Sequence, residues 1–110
     1  MNFINLTPHD ITFMTDNREK IKVVEPSGAV SRVNTTNKYC GTLDDIPIIK
    51  TEFNEITDLP EPKDDTVYLV SSLVAERTPH RKDVFFPNEI VRLQTGEIIG
   101  CRALGTCYKD

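Results

Sequence analysis

Apolar residues along this chain recur in short runs, and turn-forming residues bound each run on both sides. The runs are rich in Val, Ile, Phe and Leu, and their length and composition are typical of β-strands. Residues 20–24 alternate polar and apolar side chains, so we expect that strand to bury one face. The pattern predicts strands over residues 3–6, 11–14, 20–24, 29–33, 46–53, 66–70, 84–86, 90–93 and 98–104.

One helix is predicted, directly after the apolar strand at 66–70. Ser71 or Ser72 supplies an N-cap, residues 73–75 supply an apolar face, and Thr78-Pro79 ends the element. Residues 54–65 hold two prolines and many acids, which indicates a surface loop, and Thr95-Gly96 fits a tight hairpin turn. We therefore expect a mainly β (α+β) fold. It would be a compact antiparallel or mixed sheet, barrel-like, with one or two short helices.

Length and charge restrict the possible functions. The 110 residues fit a single globular domain over 1–110, and the net charge is −4. General nucleic-acid binders carry a basic excess that neutralises phosphates, so that function is not expected. Basic residues are nevertheless concentrated in the C-terminal half, which leaves room for a small anionic ligand there. No apolar stretch reaches the length of a membrane span, and we expect a cytoplasmic protein without a membrane partner.

The three cysteines, Cys40, Cys101 and Cys107, do not have the spacing of a zinc site. We expect them to be reduced and structural, without a disulfide, because the cytosol keeps thiols reduced. Neither a metal nor a cofactor is predicted.

Thr-Pro-His occurs twice, and it contains the only two histidines, His9 and His80. Paired histidines suggest acid–base chemistry on a phosphoester. The familiar two-histidine phosphoesterases need a hydroxyl two residues after each histidine, whereas Ile11 and Lys82 stand there. Both segments can also form turns, and Thr7-Pro8-His9-Asp10 fits a helix-capping box with proline at the first helical position. No catalytic residue is predicted.

Four further residues suggest a phosphate site. Ser71 and Ser72 lie where a strand becomes a helix, so backbone N–H groups and the helix dipole favour an anion there. Arg81 and Asp83 follow the helix closely. The alternative is plain capping by Ser72 and a surface ion pair between Arg81 and Asp83.

Arg32 lies in a short alternating strand. Its side chain must extend to solvent, pair with an acid or meet a ligand. Neither Arg32 nor Arg81 has a clear partner four residues away, and we predict that the two line one pocket.

Several segments of the chain together form a recognisable pattern. They are Asn5-Leu6-Thr7-Pro8-His9, Pro26-Ser27-Gly28, Arg32, Tyr68-Leu69-Val70-Ser71, Arg81-Lys82-Asp83-Val84 and Gly100-Cys101. With these segments the chain resembles, over nearly its whole length, a family of small uncharacterised proteins from phages, prophages and bacterial genomes. The resemblance implies a small phage-type protein of the host cytoplasm, similar in size to inhibitors of bacterial immune signalling that sequester nucleotides.

The leading hypothesis is a non-enzymatic binding protein that sequesters a small phosphorylated nucleotide as a homo-oligomer. His9 is expected to contact the ligand by hydrogen bonding rather than through turnover. Two alternatives stay open: an enzyme that hydrolyses such a nucleotide with His9 as acid or base, and an inhibitor that binds a host protein through strand edges and Phe85-Phe86. The predicted ligand-binding residues are His9, Arg32, Ser71, Ser72, Arg81 and Asp83.

Overall fold

The computed structural model describes residues 1–110 and is mainly β, as predicted. It contains eight strands and one short helix. The elements are β1 (Asn2–Asn5), β2 (Ile11–Met14), β3 (Lys20–Val24), β4 (Arg32–Leu43), β5 (Ile46–Thr57), β6 (Thr66–Leu69), α1 (Ser72–Glu76), β7 (Val84–Arg92) and β8 (Ile98–Gly105). No helix is long and apolar enough to cross a bilayer.

Six strands form one mixed sheet in the order β1-β6-β7-β8-β2-β3. β1, β6 and β7 are parallel, whereas β7–β8 and β2–β3 are antiparallel pairs. β8 and β2 meet in parallel at the pair Phe13–Cys101. The sheet curls back on itself, because Asn5 at the end of β1 forms a parallel bridge with Pro26 just after β3.

Asn5 holds this closure together. Its side chain is buried, with 1% exposed, and it donates from Nδ2 to the carbonyl oxygens of His9 at 2.7 Å and Val24 at 2.9 Å. Its Oδ1 accepts from the backbone N–H of Thr7 at 2.9 Å, and its main-chain oxygen accepts from Ser27. A buried amide satisfied at both ends fixes the geometry of the groups around it. One side chain therefore joins β1, the loop after it and the end of β3.

The core lies on both faces of the sheet. Leu69 of β6 packs with a cluster that draws on all six strands of the sheet and therefore fills the inside of the curl. Its neighbours Tyr68 and Val70 project to the other face, where α1 and the base of β4–β5 cover them. The alternation follows from the two-residue period of a strand. The inner cluster comprises Ile11, Phe13, Val24, Leu69 and Cys101, with Phe3 and Phe85 packed against it.

β4 and β5 form a separate antiparallel hairpin, and each arm has 12 residues. Val33 and Ile56 at its base pack against the cluster on the other face, here called the outer core cluster, and nearly every residue beyond them is exposed. The outer core cluster comprises Leu6, Tyr68, Val70, Val74, Ala75 and Val84. The sequence predicted the second arm only as far as Phe53 and stopped the first at Val33. β4 runs on to Leu43 because its polar Thr and Asn residues pair with β5 along the whole arm.

Two further predictions need correction. In β3 only Val24 is buried, so the prediction that this strand buries one face is wrong. Ile21 and Val23 are exposed because neither core cluster extends over their face of the strand. The runs at 84–86 and 90–93 are one strand, β7, which continues through Pro87 opposite Leu104. The turn at Thr95-Gly96 is confirmed: Gly96 has φ of 93°, and its N–H donates to Leu93.

Candidate functional site

A cavity of about 230 Å³ lies where the segment after β1, the start of β4 and the start of α1 meet. Its wall combines apolar side chains with three hydroxyl groups and a single ionisable residue, Arg32. The lining residues are Leu6, Thr7, Pro8, Val30, Ser31, Arg32, Val33, Ser71, Leu73 and Val74.

Arg32 is the first residue of β4, and it lies at a firmly held point of the backbone. The preceding residue, Ser31, is buried; its N–H donates to Leu6 at 2.9 Å and its Oγ donates to the Thr57 carbonyl at 3.1 Å. Arg32 itself is exposed and takes part in none of the ion pairs or side-chain hydrogen bonds of the chain. Arg32 therefore does not pair with an acid, and two of the three possibilities remain: extension to solvent and contact with a ligand.

The three hydroxyl groups differ in what they can offer a ligand. The Thr7 hydroxyl lies 2.6 Å from Asn5 Oδ1, and the Ser31 hydroxyl donates to Thr57, so both protons are engaged. Ser71 Oγ instead accepts from the Val74 N–H at 3.4 Å, which leaves its own proton to donate. Arg32 and Ser71 thus supply the two side-chain donors of the cavity without a partner in the chain.

The helix contributes less than the sequence suggested. Ser71 is the N-cap of α1, which confirms one of the two predicted alternatives. Ser72 is the first residue of the helix, and it does not line the cavity. α1 has only five residues, little more than one turn. A helix this short has a small dipole, so the expected anion site at its N-terminus is not supported.

Arg81 and Asp83 lie outside this cavity, and they bind each other. Arg81 Nε donates to Asp83 Oδ1 at 2.8 Å, Nη2 donates to Oδ2 at 2.9 Å, and Nη2 also donates to the Pro60 carbonyl at 2.9 Å. Hydrogen bonding to the Arg81 guanidinium lowers the pKa of Asp83, and the same bonds raise the pKa of Arg81. The prediction that Arg32 and Arg81 line one pocket is wrong, because the second guanidinium is occupied by this ion pair and only Arg32 lines the cavity.

The two Thr-Pro-His segments have structural roles. His9 is exposed and follows Pro8 of the cavity wall, but it is not itself a lining residue; its backbone carbonyl accepts from Asn5. No helix starts there, so the capping-box alternative is wrong. Thr78 is buried and its hydroxyl donates to the Val74 carbonyl at 3.2 Å, which confirms the predicted end of α1. His80 is exposed.

Phe85 and Phe86, the expected protein-binding pair, do not form an exposed apolar surface. Both are partly buried, and they pack against the inner and outer core clusters respectively. Neighbouring residues of a strand point to opposite faces, so this pair serves both sides of the sheet.

A larger and more open depression of about 690 Å³ runs along β1 and β3. Lys22, Lys63 and Glu25 lie around it, and the Lys22 ammonium stands 4.9 Å from the centre of the Phe3 ring. None of the residues predicted for the site lines it.

Comparison of the chain with protein-family models, with curated proteins and with solved structures finds no match. Sequence reasoning found Arg32 and Ser71 but missed Thr7, Ser31 and the apolar wall. The sequence around Ser31 carries no motif that indicates a ligand site. The cavity wall forms only when the base of the hairpin folds against α1, which no local pattern predicts.

Proposed function

We propose that this protein binds a small phosphorylated ligand in the cavity at Arg32, and that the ligand is a nucleotide. The observation that carries the proposal is the pairing of a guanidinium without an acidic partner and a hydroxyl with a free proton in one cavity wall. Arginine presents several N–H donors in a planar fork that matches phosphate oxygens. The Ser71 hydroxyl adds a neutral donor to the same cavity wall.

Binding without turnover follows from the chemistry of the wall. Arg32 is its only ionisable side chain, and arginine does not give up its proton near neutral pH. General acid–base catalysis needs a group that titrates close to the working pH. The lining favours holding a ligand over hydrolysing it.

The size of the cavity limits what it encloses. Sites for drug-sized ligands usually measure about 300–1,000 Å³. At about 230 Å³ this one suits a phosphoryl group with an attached sugar, and the base of a nucleotide would lie outside the cavity. Sequestration of a signalling nucleotide in a bacterial host is the role that the resemblance suggests for such binding.

The first test identifies the ligand and its fate. The protein is purified under native conditions, incubated with a panel of nucleotides and sugar phosphates, washed and heat-denatured, and the released molecules are analysed by mass spectrometry. An intact phosphorylated compound in stoichiometric amount supports the proposal. An altered compound indicates an enzyme, and no retained compound contradicts binding.

The second test locates the site. Arg32→Gln should weaken binding of the retained compound about 10- to 100-fold, because a charge-assisted hydrogen bond is worth about 1.5–3 kcal/mol. Arg102→Gln removes the same charge from an exposed strand position, where Arg102 has only a 3.5 Å contact to Asp16, and should change affinity less than about threefold. If both variants lost the same amount of affinity, the cause would be the change in net charge, and a binding site at Arg32 would be contradicted.

A further inference from the structure

β1 and β3 are the two end strands of the six-stranded sheet, and the curl of the sheet brings them side by side. They run in the same direction and meet at one point, the parallel bridge between Asn5 and Pro26. Before that point neither strand has a partner on the side that faces the other, and the depression of about 690 Å³ lies between them. Residues 1–4 line one side of this opening, here called the seam, and residues 22–25 line the other.

The backbone of β1 directs a free donor and a free acceptor into the seam. The Asn2 N–H donates to the Asp65 carbonyl at 2.8 Å, towards β6. The Leu6 N–H, just after the strand, donates to the Leu69 carbonyl at 2.8 Å, again towards β6. Successive residues of a strand direct their backbone groups to alternate sides. The N–H and C=O groups of Phe3 therefore point away from β6 and into the seam.

The backbone of β3 does the same from the other side. The Val24 carbonyl accepts from the side chain of Asn5, which belongs to β1, so the backbone groups of Val24 face the seam. By the same alternation, the N–H and C=O groups of Lys22 face it too. The seam is thus bordered on both sides by strand edges whose hydrogen-bonding groups are available.

Two facing edges specify the kind of molecule that fits between them. A molecule that bonds to both must present N–H and C=O groups along two opposite sides, as an extended polypeptide does. The edge strand of a folded domain has only one free side, so it can pair with β1 or with β3 but not with both. Because β1 and β3 run in the same direction, one peptide strand pairs with both in the same sense, and antiparallel pairing is the more stable.

Charge narrows the choice of peptide. Among the charged side chains around the seam, Lys22 and Lys63 outnumber Glu25, in a chain whose net charge is −4. Lys22 takes part in none of the ion pairs of the chain, and its ammonium stands 4.9 Å from the centre of the Phe3 ring. An exposed cation–π contact is weak, whereas a hydrogen bond between an ammonium and a carboxylate is strong. An acidic peptide therefore fits the seam better than a basic one.

We propose that the seam binds an extended segment of a partner protein, which adds a strand between β1 and β3 and bears a carboxylate opposite Lys22. Four residues of each edge span about 13 Å, which matches a segment of about four to six residues. The volume of about 690 Å³ lies within the usual range of ligand sites, about 300–1,000 Å³. Backbone hydrogen bonds to both edges supply the affinity, as in other strand additions. Side chains on one face of the segment lie beside Val23, which is 44% exposed without it.

Amide exchange followed by NMR tests the seam residue by residue. The probe is a pool of acetylated peptides of about six residues, in which Val or Thr alternates with Glu. In the protein alone, the Phe3 amide should exchange faster than the Ile4 amide, which faces β6. Saturation with the acidic pool should slow exchange at Phe3 and Lys22 at least about 10-fold and leave Ile4 unchanged. Equal exchange at Phe3 and Ile4 in the free protein, or binding that leaves Phe3 and Lys22 unprotected, would overturn the proposal.

Charge reversal tests the contribution of the lysines. Lys22→Glu should weaken binding of the acidic pool at least about 10-fold, because a carboxylate then faces a carboxylate. Lys50→Glu makes the same change of charge on the exposed β4–β5 hairpin and should alter affinity less than about twofold. Lys63→Glu, at the other lysine of the seam, repeats the test if thermal unfolding shows that Lys22→Glu impairs folding.

The remaining outcomes are equally decisive. A matched pool with Lys in place of Glu should bind at least about 10-fold more weakly, and equal binding would contradict an acidic partner. No binding of the acidic pool up to about 1 mM would overturn the proposal. Arg32 does not line the seam, so Arg32→Gln should bind the acidic pool as the wild type does. Peptide binding and nucleotide binding can therefore fail independently.

Discussion

Arg81 and Asp83 are two residues apart in the chain and form a bidentate ion pair, and through Pro60 the same guanidinium fixes the loop that precedes β6. The pair is mostly shielded from solvent, with 11% of the Arg81 side chain and 17% of the Asp83 side chain exposed. It therefore contributes to the stability of the fold rather than to ligand binding.

Asp83→Asn should lower the free energy of unfolding at pH 7 by about 2 kcal/mol, because the charge-assisted bonds to Arg81 are lost. The Arg81 bonds hold the pKa of Asp83 below its ordinary 3.8, so this stability is fully present above the unfolded pKa and disappears as pH falls through the folded one. Urea unfolding at a series of pH values should show that the free energies of unfolding of the wild type and the variant converge as the pH falls below about 4. Asp16→Asn, at a side chain that is 97% exposed, should cost less than about 0.5 kcal/mol at any pH.

Asn5→Ala should be among the most destabilising polar substitutions in the chain. It removes both donors to His9 and Val24 and the acceptor of Thr7, and the buried backbone groups are left unpaired. We expect a loss of about 3 kcal/mol in urea unfolding. Asn34→Ala, which removes only an exposed hydrogen bond to Glu55, is the control and should cost less than about 0.5 kcal/mol. Similar losses in both would contradict the role of Asn5 in closing the sheet.

The tip of the hairpin is strained, and replacing its two residues should relieve the strain. Asp44 and Asp45 have φ of 48° and 63°, a region that asparagine and glycine adopt more easily. The double variant Asp44→Asn/Asp45→Gly has the preferred sequence of such a turn and should stabilise the hairpin by about 1 kcal/mol. Hydrogen exchange should slow for amides of Lys38 to Lys50 and stay unchanged in β6. Faster exchange in the hairpin would show that the two aspartates have a stabilising role of their own.

The three thiols should react in order of their burial. Cys40 is exposed and should react within seconds to minutes with an aromatic disulfide reagent, whereas Cys101 is 2% exposed and burial raises its pKa. The buried thiol should react only as the protein unfolds. Denatured, unreduced protein should release three thiol equivalents. A single equivalent would instead reveal a disulfide.

The strands of the main sheet were predictable because each is a short apolar run between turn residues. Residues 11–14 and 66–70 were assigned within a residue of their observed bounds. The outer half of β4 was not, since its Thr, Asn and Lys residues lack an apolar pattern, and from Asn37 to Leu43 its pairing depends on β5 residues three to fourteen positions away. Burial of β3 was misjudged for a related reason: alternation shows which residues share a face, but not whether another layer covers it.

The candidate site was half predictable. An arginine in a strand and a serine at a helix start are visible in the sequence, and both line the cavity. The sequence also allowed an ion pair between Arg81 and Asp83, and the structure confirms that alternative. Residue types alone could not decide between this pair and a shared phosphate site, because an arginine beside an aspartate is compatible with both.

The parallel pairing of β1 with β6 also sets the order in which the fold can be completed. Asn2 pairs with Thr66, and Asn5 with Leu69, so the first strand waits for a partner more than sixty residues later. The β4–β5 hairpin needs only its own turn, and contacts between near neighbours in sequence form fastest. During synthesis, Phe3 and Ile4 therefore stay without their strand partners Val67 and Tyr68 until about two thirds of the chain has been made.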